Sequence, residues 1–211
     1  MWSKNASLAG GTLSLAGIPA AQLAQDFGTP AFFLDEEAFR SRALAWQNGL
    51  NSEFGDHAGT IFYAAKSFIC TAVAQWIAEI GIGIDVCTGG ELAAALAGGI
   101  NPQKIELHGN NKSISEIDRA VSVGIKSIVM DSLFEIERVA AAAKKHGVRQ
   151  AVMLRLTPGI EAHTHEKISP AHEDVKFGFS IASGAAWDAV LAVAERPELE
   201  LRGVHCHIGS Q

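Results

Sequence analysis

From residue 60 onward, short apolar runs alternate with longer segments whose apolar positions recur at helical spacing. Runs at Ile61–Ala65, Ile82–Val86, Lys104–His108, Ser127–Asp131, Ala151–Leu156 and Leu199–Ile208 have the length and β-branched content of buried strands. Helices are predicted between them at Phe68–Ile80, Gly90–Ala97, Ile114–Val123, Leu133–His146 and Ala182–Ala194. Gly81, Gly98, Gly124 and Gly147 fall at or just past four of their C-termini, where glycine suits the cap. Ser113 followed by Glu116 has the spacing of a capping box.

Before residue 60 the pattern is weaker. Residues 1–17 are rich in Gly, Ser and Ala and read as a loose arm, and a short helical pattern runs from Ile18 to Phe27. Thr29–Leu34 reads as extended because Pro30 disfavours a helical Thr29. Asp35 then caps a helix with Glu36 and Glu37 in its first turn and Phe39, Ala43, Trp46 and Leu50 on one face. That face is expected to pack against something.

Strand and helix repeating at roughly 20- to 25-residue spacing predict an α/β fold with a parallel sheet, either an open doubly wound sheet or a closed eight-stranded barrel. No strand leads into a G-x-G-x-x-G turn, which disfavours a dinucleotide site. Lys66, Asp85, His108, Asp131, Arg155 and His207 fall at or near the C-terminal ends of separate strands, the way a (β/α)8 barrel assembles one site from many loops. Taken singly each could be a capping or loop residue, and Asp131 is read as one. Six of eight barrel strands are accounted for, so the chain reads as part of a barrel, a TIM-type fragment.

Composition narrows the classes without choosing among them. The 211 residues are 48% hydrophobic and 19% charged, enough for one sizeable core. A net charge of −6 gives no basic footprint for nucleic acid. No apolar run is long enough to span a bilayer and the first residues lack a secretory apolar core, which points to the cytoplasm. Cys70, Cys87 and Cys206 are odd in number and widely spaced, so they are expected to be reduced and mostly buried.

Chemistry centres on Lys66, at the end of Ile61-Phe62-Tyr63-Ala64-Ala65. A lysine attacks a carbonyl only as the neutral amine, which a partly desolvated strand end would favour; a lysine whose stem packs while its charge reaches water is the bland alternative. In Leu199–Ile208, alternation directs Gly203, His205 and His207 into the barrel and Val204, Cys206 and Ile208 towards helices. His205 and His207, with His163 and His165 in the preceding loop, could also be metal ligands, although no HExxH motif accompanies them.

Five segments together carry a family resemblance: Tyr63-Ala64-Ala65-Lys66, Asp85-Val86-Cys87-Thr88-Gly89-Gly90-Glu91, His108-Gly109-Asn110-Asn111-Lys112-Ser113, Lys176-Phe177-Gly178 and His205-Cys206-His207-Ile208-Gly209-Ser210-Gln211. In this order, from about Thr29 to Gln211, the chain resembles the diaminopimelate decarboxylases, members of the alanine-racemase-like, fold-type III class of pyridoxal phosphate enzymes. The loop from Gly159 to Glu166 leading into Lys176-Phe177-Gly178 sharpens the match to this decarboxylase over its ornithine and arginine relatives.

The resemblance implies that Lys66 carries pyridoxal phosphate as a Schiff base, that His207 stacks on the pyridine ring and that Ser210 lies close to the phosphate. It puts Arg155 near the phenolic oxygen, Asp85 and Glu91 at the acidic positions of the second-strand motif, and His108 in the pocket wall. It implies decarboxylation of meso-diaminopimelate to L-lysine and carbon dioxide, the last step of lysine biosynthesis, by a cytoplasmic homodimer, with no nucleic acid, membrane or metal involved. Residues 29–211 would form the cofactor-binding barrel portion, with 1–28 an arm and short helix and 29–35 a strand joining a C-terminal β-domain. The family's glycine-rich phosphate loop, the partner of the pyridine nitrogen, the substrate-binding residues and the catalytic cysteine have no counterpart in these 211 residues, so this stretch alone is expected to bind cofactor weakly and not to turn over. Another decarboxylase or racemase of the class, or a barrel metal hydrolase using His205 and His207, are the alternatives.

Overall fold

Two pairs of small residues decide the fold at the start of the chain. In the computed structural model, which describes residues 3–55, 59–159 and 177–207, Gly10 and Gly11 both take positive φ and close a two-residue hairpin between β1 (Ala6–Ala9) and β2 (Thr12–Leu15). Ala16 and Gly17 do the same between β2 and β3 (Ile18–Pro19). Positive φ at both central residues matches the twist of antiparallel strands. The expected loose arm is therefore a three-stranded antiparallel sheet, and the helix predicted from Ile18 starts only with α1 (Ala20–Phe27).

The chain divides into two compact units, Met1–Ile61 with Glu79–Ile82, and Phe62–Ala78 with Gly83–Gln211. In the first, Asp35 caps α2 (Glu36–Phe54) by accepting the Ala38 N–H at 3.0 Å, as the sequence predicts. Phe39, Ala43 and Leu50 are half-buried, but Trp46 of the same stripe is exposed. Thr29–Leu34 joins no strand among the described residues, and Phe32 and Leu34 are exposed.

The second unit is built on parallel strands β4 (Phe62–Ala64), β5 (Gly83–Val86), β6 (Ile105–Leu107), β7 (Ser127–Met130), β8 (Gln150–Thr157) and β10 (Leu199–Cys206), with a two-residue β9 (Phe179–Ser180) beside the end of β8. Helices α3 (Thr71–Ile80), α4 (Gly89–Ala97), α5 (Ile114–Ser122), α6 (Leu133–His146) and α7 (Ala185–Ala194) connect them. Along the sheet the order is β4-β5-β6-β7-β8-β10, so each long strand lies beside the one before it in the chain. A doubly wound sheet reverses its order at a switch point; this one never does. It is the wall of a partial (β/α)8-type barrel.

Alternation then sorts the side chains. Ile84, Val86, Ile105, Leu107, Ile128, Met130, Val152 and Leu154 are essentially fully buried and share the core with Val73, Ile77, Leu92, Ile117, Ile136 and Val139 of the helices. Gly98 makes part of this packing possible, because a β-carbon there would stand 2.3 Å from that of Ala74. The residues between, Asp85 on β5 beside Glu106 on β6 and Arg155 on β8 beside His205 on β10, belong to the opposite face. The sheet therefore separates an apolar helix-facing layer from a polar inner one. Val204 and Cys206, expected under helices, are exposed, while Leu199 at the start of β10 is buried. Cys70 and Cys87 are half-buried, so none of the three cysteines is a core residue.

Candidate functional site at the strand ends

Lys66 lies in a single 3-10 turn, Ala65–Ser67, immediately after β4. The turn is fastened by Tyr63, whose hydroxyl donates to the Phe68 carbonyl at 2.6 Å, and by Ser67, which donates to the Ala64 carbonyl at 2.7 Å. Ala65 is buried, but Lys66 is exposed. The helix begins later than predicted, at Thr71.

Asp85, on the strand beside β4, is the next acid of the inner layer. Burial pushes its carboxyl above the usual range, while His108 and Lys66 oppose that rise. Its Oδ1 atom is buried with no hydrogen-bond partner among the described residues. Two residues on, burial and the Asp85 charge push the Cys87 thiol up, so it is a poor thiolate. Glu91 reaches back to accept the Cys87 N–H at 2.5 Å while Thr88 caps α4. That carboxylate braces the loop, which accounts for its spacing from Asp85 in the motif.

His108 follows β6, its N–H donating to the Val86 carbonyl at 2.7 Å. Its ring meets the His205 ring edge-to-face at 5.0 Å between centroids, and its Nε2 lies 3.8 Å from Glu106. Burial, with the positive potential of His108 and Arg155, depresses His205 to about 4, and its Nδ1 is buried without a partner among the described residues. His205 is thus neutral at pH 7. Because the ordinary value is 6.5, the unfolded chain takes up this proton first on acidification. Stability that His205 leaves intact above about pH 6.5 is therefore lost towards pH 4. Asp85, with a raised carboxyl, acts in the opposite sense at acid pH. Chemical denaturation at pH 7 and pH 4.5 is expected to show a smaller acid loss in His205→Asn than in the unaltered protein; equal losses would remove His205 from this account.

Asp131 and Arg155 meet across β7 and β8, with Nε 3.7 Å from Oδ1 and the Asp131 carboxylate almost wholly buried. The guanidinium lies 4.6 Å from the Phe177 ring centroid. Gly178, at φ +76°, comes so close to the Arg155 carbonyl that a β-carbon would stand 2.7 Å from it. Phe177 and Gly178 of the fourth motif thus support Arg155, a function the motif alone does not disclose. Asp131, read from sequence as a capping or loop residue, instead faces that arginine.

His207 is exposed just beyond β10, and its charge contributes to the depression of His205. Ser210, His163, His165 and Lys176 lie outside the described residues. Among the described residues no group of three or more His, Cys, Asp or Glu is arranged to hold a metal ion, and no helix is long and apolar enough to cross a membrane.

Sequence reading missed Lys112 and Glu135, which pair at 2.8 Å and are each only 2% exposed. The signal was a lysine inside an otherwise polar loop motif, followed by a glutamate at the third position of α6, where a first-turn acid looks like ordinary capping.

Residues 36–211 match the family described as pyridoxal-dependent decarboxylase, pyridoxal binding domain. Diaminopimelate decarboxylase of Mycobacterium tuberculosis (strain ATCC 25618 / H37Rv) is 54% identical over 205 residues, covering 95% of this chain and 44% of that protein. The Corynebacterium efficiens enzyme of the same name is 42% identical over 212 residues, 100% of this chain and 45% of its own. The crystal structure of diaminopimelate decarboxylase from M. jannaschii in complex with L-lysine superposes with a TM-score of 0.88 at 31% identity, covering 99% of this chain and 49% of that one. The chain spans about half the length of the relatives it matches.

Proposed function

Because the chain belongs to the pyridoxal-dependent decarboxylases, through their pyridoxal binding domain, we propose that it forms the cofactor-binding barrel portion of a diaminopimelate decarboxylase, converting meso-diaminopimelate to L-lysine and carbon dioxide. The observation that carries this reading is the gathering of Lys66, Asp85, His108 and the Asp131–Arg155 pair at the ends of successive strands, in a chain 54% identical to one such enzyme. Residues 29–211 would be the cofactor-binding domain and 1–28 a separate N-terminal segment. The working form would be a cytoplasmic homodimer.

The residues suit pyridoxal phosphate chemically. Lys66 would offer an accessible amine for the aldehyde carbon, and Arg155, flanked by Asp131 and Phe177, would offer a guanidinium to the phenolic oxygen. His207 would lie against the ring face and Ser210 beside the phosphate. Asp85 Oδ1 and His205 Nδ1 are buried polar atoms without hydrogen-bond partners among the described residues, as expected of a wall that faces a polar ligand. Bound, the cofactor supplies the electron sink that makes loss of an α-carboxylate feasible. The chain's own part is to hold and orient. Asp85, its carboxyl raised by burial, is suited to exchange a proton with the Lys66 Nζ atom. His108 would line the same wall, its ring against that of His205. The neutral His205 adds no positive charge that would compete with Arg155 for the phenolic oxygen.

The test uses the longest natural polypeptide that carries this sequence, supplied with pyridoxal phosphate and meso-diaminopimelate. L-lysine and carbon dioxide are expected in equal amounts, and borohydride should fix the cofactor to the tryptic peptide containing Lys66. Turnover of ornithine or arginine in preference would move the assignment within the class. Absence of fixable cofactor, with activity that depends on added zinc or manganese, would replace it with the metal-hydrolase reading.

A further inference from the structure

Lys112 and Glu135 make contacts that the proposed chemistry does not use. The Lys112 ammonium gives one proton to each of three acceptors, the Gly109 carbonyl at 2.5 Å, the Val129 carbonyl at 2.6 Å and Glu135 Oε1 at 2.8 Å. All three of its donors are therefore satisfied. The other carboxylate oxygen of Glu135 accepts the Asp131 N–H at 2.6 Å. One buried pair thus joins the loop after β6, strand β7, the loop after β7 and helix α6. Gly109, at φ +106°, carries the connection to the loop after β5, since a β-carbon there would lie 3.3 Å from the Cys87 carbonyl.

A buried ion pair is weak evidence of stabilisation, because desolvating both charges offsets most of their attraction. Burial does depress the Lys112 ammonium, with Glu135 opposing the shift. What the pair does supply is position. It fixes the backbone at Asp131, and the Asp131 side chain is the carboxylate facing Arg155.

We propose that Lys112 and Glu135 are positioning residues, a clamp that sets the Asp131 backbone so that the Asp131 carboxylate orients Arg155 towards the cofactor. This rests on the reading of Arg155 as a cofactor contact. Neither residue touches the cofactor itself; they act through Asp131.

The test compares Lys112→Met/Glu135→Leu, which removes both charges together, with the near-isosteric Glu135→Gln, with Asp131→Asn, and with Ile136→Val, a core change on the same helix. Two readouts need no cofactor: hydrogen exchange at the Asp131 amide and the NMR resonance of the Arg155 Nε–H. The third is the dissociation constant for pyridoxal phosphate. In the double variant the Asp131 amide is expected to exchange about tenfold faster or more, the arginine resonance to shift, and the dissociation constant to rise about tenfold, as loss of a buried, charge-assisted contact implies. Glu135→Gln should move the same readouts less. Asp131→Asn should shift the resonance and weaken binding while leaving amide exchange unchanged. Ile136→Val should lower the melting temperature and move none of the three. If the double variant keeps the exchange rate and arginine resonance of the unaltered protein, or changes them no more than Ile136→Val does, the clamp is refuted. If the unaltered protein takes up no pyridoxal phosphate, the cofactor reading fails by itself, and the two cofactor-free readouts still decide the clamp.

Discussion

Lys66→Ala, made in the longest natural polypeptide, is expected to abolish borohydride-fixable pyridoxal phosphate and to lower lysine production about a thousandfold or more, as loss of a covalent nucleophile commonly does. Its stability should hardly change. Lys66 is exposed, and the turn that carries it is held by Tyr63, Ser67 and backbone carbonyls that the substitution leaves in place. The contacts assigned to Arg155 and His207 also remain, so the variant should still take up cofactor, reversibly and more weakly. Three measurements separate these outcomes: peptide mass after borohydride, lysine release, and the melting temperature. Retained covalent cofactor or near-normal turnover would sink the assignment of Lys66. A large fall in melting temperature would mean that the lysine holds the turn together, a role its exposure argues against.

The strand-helix order could be read from sequence because the chain obeys two periodicities strictly where the sheet forms. Ile84, Val86, Ile105, Leu107, Ile128 and Met130 alternate with inward residues, and the helices between them carry continuous apolar stripes. The start of the chain was misread for a local reason. Gly10-Gly11 and Ala16-Gly17 look like flexible sequence, yet each supplies the two positive φ values that a tight hairpin requires. In the proposed site, sequence marked the strand-end side chains, Asp131 among them, but not the contacts that hold them. Glu135 and Lys112, and the contacts of Asp131 and Phe177 with Arg155, depend on three-dimensional neighbours on other loops, and neither spacing nor composition encodes those contacts. Of the two readings of Lys66, its exposure matches the one in which the charge reaches water, because a 3-10 turn carries the lysine past the strand.

Single truncation of the buried pair should have the largest effect on stability. Lys112→Met leaves the Glu135 carboxylate enclosed, 2% exposed, with its counter-ion gone, and takes the lysine donor from the Gly109 and Val129 carbonyls. Breaking one side of such a pair costs about 3–5 kcal/mol, whereas replacing both partners by apolar groups is often close to neutral. The single variant should therefore unfold at a much lower urea concentration than Lys112→Met/Glu135→Leu, although it changes fewer atoms. Its loss should also depend on pH in a definite direction. A buried carboxylate without a cation takes up a proton more readily than it does in the unfolded chain, so folding binds protons and the variant regains stability as pH falls. Denaturation at pH 8 and pH 5.5 is expected to show the larger deficit at pH 8. A deficit below about 1 kcal/mol, the size of an exposed ion pair, or one that grows on acidification, would show that Glu135 is not sealed from solvent and that the pair is an ordinary surface contact.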